Sequence, residues 1–65
     1  MQNKIKIYRA MLDLSQQELA KKVGVTRMTI NAIENERSIP SLKLANNISL
    51  ALERKICEVF VGLNC

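Results

Sequence analysis

The stretch QQELAKKVGVTRMTINAIEN, from Gln16 to Asn35, holds two short helical patterns separated only by Gly24-Val25-Thr26. Back-to-back stop and start signals explain the break. Ser15 stands before the first pattern as an N-cap. Glu18 follows at the right spacing for a capping box, in which each side chain takes the other's backbone N–H. Leu14 and Leu19 occupy the hydrophobic-staple positions around that cap. Leu19, Ala20 and Val23 make the inward stripe. Gly24 can take the left-handed conformation that ends a helix. Thr26 then caps the second pattern, expected over 27–35. A connection this short makes the two helices cross steeply, at about 90–120°.

The second helix has more surface than a core needs. Ile30 and Ile33 face inward, joined by Val25 just before the helix. The other side carries Arg27, Met28, Asn31, Ala32 and Asn35, with almost no acidic charge. Arg27, Thr29 and Asn31 offer donors and acceptors, while Met28 and Ala32 offer flexible or small apolar groups. Base edges in the DNA major groove present acceptors, donors and thymine methyls, and a helix placed there needs side chains of this sort. A solvated polar face is the ordinary alternative. The short turn, the matched caps and a net charge of +4 favour a helix that docks in a groove.

The remaining helices are read outward from this pair. The first is expected over 3–12, with Ile5, Tyr8 and Leu12 as its buried face and Lys4, Lys6 and Arg9 solvated. A loop covers 36–40. Ser41 caps a fourth helix over 42–52 with Leu42, Ala45, Ile48 and Leu52 inward. The basic link Glu53-Arg54-Lys55 leads to a short fifth helix over 56–60.

Composition narrows the classes. A chain of 65 residues makes one domain at most and is marginal alone. Its aromatic content is only 3%, so Leu and Ile must build the core. No stretch reaches the ~20 apolar residues of a membrane span, and no signal peptide opens the chain. There is no His, and the two Cys, Cys57 and Cys65, are too few for a zinc site or a disulfide framework. Cys57 reads as a small, partly buried apolar residue and Cys65 as a frayed end, in keeping with a reducing cytoplasm. A pI of about 9.4 points to a polyanionic partner. An enzyme lacks the inventory: no catalytic order of Ser or Cys with a base is present, and no Gly-rich phosphate loop. No metal and no cofactor is expected.

LSQQELAKKVGVTRMTINAIENERSIPSL resembles the helix-turn-helix of the phage-repressor (Cro/Xre-like) family. Gln-x-x-Leu-Ala, Gly-Val-Thr, Thr-Ile-Asn-x-Ile-Glu and Pro-Ser-Leu all stand at that family's spacings, and the likeness extends through ALERKICEVF to cover the whole chain. The resemblance implies an all-α fold, a compact five-helix bundle with a helix-turn-helix at about 16–35. This would be a lambda-repressor-like DNA-binding domain filling 1–65. It implies a sequence-specific transcriptional regulator, a repressor that holds a two-fold double-stranded operator as a homodimer. Arg27, Met28, Asn31 and Ala32 match base-facing positions. Gln16, Thr26, Thr29, Asn35 and Arg37 match positions at the DNA backbone, and the free amides of a helix start suit Gln16's place beside a phosphate. Glu34 matches a residue that fixes the helix and the next loop, because a carboxylate near phosphates is repelled. Two departures stand out. Glu36 replaces the family's Gly, where a left-handed residue costs about 1–2 kcal/mol. The link ERK replaces the usual turn and cap, so the fifth helix is expected to start less cleanly.

The homodimer is expected to join through 56–65, where Ile56, Val59, Phe60, Val61 and Leu63 form an apolar run. Leu50 falls off the fourth helix's stripe and is a second candidate contact. An exposed patch there would suit the rival function, an antitoxin or other helical module whose main partner is a protein such as a toxin. With every residue spent on helices and a short tail, no sensor is expected.

Overall fold

The computed structural model describes residues 1–63. The expectations for Cys65 lie outside them. Five helices follow in order: α1 (Ile5–Met11), α2 (Gln16–Val23), α3 (Arg27–Glu34), α4 (Leu42–Ala51) and α5 (Ile56–Val59). Each expected helix is present; α1 starts two residues later than expected, and α1, α3, α4 and α5 each end one residue earlier. Among the described residues, no helix is long and apolar enough to cross a membrane.

The start signals work as written. The Ser15 hydroxyl accepts from the Glu18 amide at 3.0 Å, and the Glu18 carboxylate accepts from the Ser15 amide at 2.9 Å. That backbone hydrogen bond, with the Ser15 hydroxyl second, holds the Glu18 carboxyl below its ordinary range. Thr26 and Ser41 accept from the amides of Thr29 and Leu44 at 3.3 and 3.1 Å. The fifth helix starts less cleanly, as expected: its N-cap Lys55 makes no side-chain cap hydrogen bond, and only the Glu58 carboxylate accepts the Lys55 amide, at 2.8 Å.

Four helices stop in the same way. After α2, Gly24 has φ 77 and the Val25 amide donates back to the Ala20 carbonyl at 3.0 Å. After α1, α3 and α4 the left-handed residue is Asp13 (φ 56), Glu36 (φ 60) or Glu53 (φ 59). The next amide again reaches back: Leu14 to Arg9, Arg37 to Ala32, Arg54 to Ser49. This is the Schellman closure, normally given to Gly. Glu36 therefore keeps the family's loop geometry and bears the strain of a Cβ there. So does Glu53, within the link read only as basic.

The core consists of Ile5, Leu19, Ala20, Ile30, Ile33, Ala45, Ile48, Leu52, Val59 and Phe60, all buried. The inward residues of α2 and α3 are as expected, with Val23 and Val25 half-buried against the cluster. Two apolar expectations need correction, and one buried polar residue was not foreseen. Leu42 is 75% exposed, because the first turn of α4 projects past the core and Leu44 packs in its place. Leu12, at the C-cap of α1, is likewise exposed. Ser49, polar and unremarked in the sequence, is buried, its hydroxyl satisfied by the Ala45 carbonyl at 2.9 Å.

Two ends of the chain clasp each other. Asn3 pairs antiparallel with Phe60, the Lys4 amide donates to the Val59 carbonyl at 2.7 Å, and the Val61 amide to the Gln2 carbonyl at 2.9 Å. Val59 and Phe60 are thereby spent inside the subunit, at 0% and 1% exposure. That corrects their assignment to a subunit interface. Val61 is exposed, and Ile56 and Leu63 are half-buried against the core. Cys57 is disulfide-bonded, not the plain apolar filler read from the sequence. Arg54 also has a job in the packing: its guanidinium stacks 4.7 Å from the Tyr8 ring centre, tying the link to α1.

Candidate nucleic-acid interface

Thr26, with extended backbone at φ −82, starts α3 immediately after the turn. Burial of Ile30 and Ile33 then fixes the rotation of α3 about its axis. The opposite side faces out by helical geometry. Met28 there is 82% exposed, which a 65-residue chain short of core material would not spend freely. Arg27, Met28, Asn31 and Ala32 line one shallow depression, and Arg37 lines it with them. The four residues expected to read bases are thus brought together. No acidic side chain lines the depression.

The residues expected at the DNA backbone are more dispersed. Thr26 and Thr29 lie at the start of α3, and their hydroxyls are 3.1 Å apart. Asn35 lies at the C-cap, where its amide donates to the Asn31 carbonyl at 2.9 Å. Gln16 opens α2. It is not a free phosphate arm in this structure, because its Nε2 donates to Glu34 Oε2 at 2.8 Å and its Oε1 accepts from Asn31 at 3.4 Å. Its backbone position at a helix start still leaves unpaired amides at the surface. Arg37, also expected at the DNA backbone, lines the depression together with Arg27, Met28, Asn31 and Ala32.

Glu34 is the hub beneath this surface. Its carboxylate is nearly buried and takes Gln16 on one oxygen and Arg9 on the other, the Arg9 contact at 3.0 Å. Arg9 also donates to the Leu14 carbonyl at 2.8 Å. A single carboxylate thus fastens α1, the start of α2 and the end of α3. This fits the holding role given to Glu34. It also corrects the reading of Arg9, which is mostly buried and bridging, not solvated.

Asn3 was passed over in the sequence and contributes too. Its Nδ2 donates to the Ile33 carbonyl at 2.9 Å, and its Oδ1 accepts from the Ile5 amide at 3.2 Å. It satisfies an end carbonyl of α3 while starting α1. Nothing in local sequence marks this, since its partner is 30 residues away.

Comparisons with known proteins agree with this geometry. The family described as "Helix-turn-helix" matches residues 5–59. An uncharacterised HTH-type transcriptional regulator of Methanocaldococcus jannaschii is 51% identical over 61 residues, 94% of this chain and 92% of that one. The HTH-type transcriptional regulator YgzD of Bacillus subtilis is 47% identical over 60 residues, covering 92% and 91% of the two chains. Among solved structures, SinR, the master regulator for biofilm formation, in complex with DNA superposes with a TM-score of 0.73 at 34% identity. The match covers 80% of this chain and 84% of that one. A helix-turn-helix, and relatives that match nearly end to end, lead to one assignment: the chain belongs to the helix-turn-helix family and is a DNA-binding transcriptional regulator, not an enzyme.

Proposed function

We propose that the protein is a repressor that grips a two-fold operator as a homodimer, with α3 of each subunit in the major groove. The observation that carries this reading is the depression on α3, where Arg27, Met28, Asn31 and Ala32 face out together without an acidic neighbour. Arg27 is the base reader, since Arg pairs with guanine O6 and N7 more often than any other side chain. Met28 and Ala32 pack on thymine methyls. Thr26, Thr29, Asn35 and the start of α2 at Gln16 meet phosphates. DNA titrations at several salt concentrations test the electrostatic part. For a dimer neutralising about 4–8 phosphates, log K should fall against log salt with a slope of about −4 to −7. A slope near zero would assign the positive charge to something else.

The dimer reading is supported by Val61, exposed at the end of the clasp, with Ile56 and Leu63 beside the same end of the core. Sedimentation at micromolar protein should give twice the chain mass of 7.4 kDa. Val61→Asp should shift that equilibrium toward monomer more than Leu50→Asp. The reverse order would move the interface to α4, and a strict monomer with or without DNA would remove it.

A second reading has its own observation. Leu42 and Leu50 stand 75% and 67% exposed on α4, an apolar character that suits a protein partner. An antitoxin that also binds its operator would use α3 for DNA and α4 for the toxin.

A further inference from the structure

Arg37 follows α3, yet it does not leave it. Glu36 at φ 60 turns the chain back, and the Arg37 amide donates to the Ala32 carbonyl at 2.9 Å. The backbone of Arg37 is therefore pinned over the last turn of the recognition helix. Its side chain continues in the same direction: Nη2 donates to Asn31 Oδ1 at 2.8 Å. This brings the guanidinium into the depression lined by Arg27, Met28, Asn31 and Ala32. Ala32 contributes only a methyl group there, so space remains for the fork.

We infer that Arg37 is a second base reader, and that Asn31 positions it instead of reading bases itself. The inference rests on α3 being the major-groove helix. An Asn that recognises adenine must use both its oxygen and its amide on N6 and N7. Both ends of Asn31 are engaged inside the protein, the oxygen by Arg37 and the amide by Gln16 Oε1 at 3.4 Å. Gln16 is fixed in turn by Glu34, and Glu34 by Arg9. Arg37 thus stands at the end of a chain of hydrogen bonds that runs from α1 across the DNA face. A guanidinium has five N–H groups, and one of them suffices for Asn31. The others form a planar fork suited to guanine O6 and N7, presented with little orientational freedom left to lose. Asn31 lies four residues along α3 from Arg27. That is about 6 Å of helix rise, or about two base pairs.

The test starts from an operator obtained by selection on random duplex DNA at fixed salt. Binding of wild type, Arg27→Ala, Arg37→Ala, Asn31→Ala and Asn31→Asp is then measured against every single-base variant of it. Circular dichroism checks that each variant is folded. Arg37→Ala should erase about ten- to hundredfold discrimination at one G·C pair, about two base pairs from the pair that Arg27→Ala erases. Asn31→Ala should weaken discrimination at the Arg37 pair. Asn31→Asp, which still accepts from the guanidinium, should keep it even where overall affinity falls. If Arg37→Ala lowers binding to every variant by one factor while Arg27→Ala still loses its own pair, Arg37 holds a phosphate. The inference then fails and α3 remains the reading helix. If the wild type distinguishes no duplex from another, both the inference and the reading beneath it fall.

Discussion

Glu34→Ala is expected to lower the unfolding free energy by about 3–5 kcal/mol. Small domains hold about 0.05–0.15 kcal/mol per residue, so this takes most of the stability available to the chain. The loss comes from what the carboxylate leaves behind. Arg9 stays mostly buried with its charge uncompensated, and its Nε already lacks a hydrogen-bond partner among the described residues. Gln16 loses the acceptor that orders it. Removing one member of a buried pair costs far more than removing both in favour of apolar groups. Urea melts should therefore show Glu34→Ala well below wild type and the double variant Arg9→Met/Glu34→Leu recovering a large share. A loss under about 1 kcal/mol in Glu34→Ala would mean that the pair behaves like an exposed one.

Phe60→Ala is expected to cost about 3–5 kcal/mol, again near the whole stability of the fold. Phe60 is among the largest side chains that the chain buries completely, and it sits where the two ends of the chain clasp. Its loss opens a cavity in the core beside that clasp. Val61→Ala, one residue on and exposed, should change stability by less than about 0.5 kcal/mol. The contrast separates a folding role for Phe60 from an association role for Val61. If Phe60→Ala melted like wild type and only the sedimentation changed, Phe60 would belong to an interface after all.

What could be read from the sequence was local. Ser15, Glu18, Thr26 and Ser41 cap helices through partners three residues away, so their spacing announces them. Gly24 announces a stop for the same reason. The outer face of α3 was legible because helical periodicity alone separates Arg27, Met28 and Ala32 from Ile30 and Ile33. Arg9 was not, since its partner Glu34 is 25 residues distant and an Arg among polar neighbours looks solvated. Val59 and Phe60 show a different limit. An apolar run declares that it will be covered, but not whether the cover is its own chain or another copy. Arg37 shows a third. Its direction is set by the left-handed turn at Glu36, and a Glu gives no sign that it will adopt one. The four expected base readers on α3, Arg27, Met28, Asn31 and Ala32, needed only a face; Arg37, beyond its end, needed a backbone conformation.

The central claim is that the exposed face of α3 reads sequence through Arg27. Affinities of wild type and Arg27→Ala for the selected operator and all its single-base variants test it most directly. The account predicts, for the wild type, a strongly fixed G·C pair in each half-site that depends on Arg27, separate from the pair assigned to Arg37. With Arg27→Ala, binding falls by about 1–3 kcal/mol per half-site and selectivity relaxes at that pair alone. An equal loss across every variant, with the G·C preference intact, would contradict it.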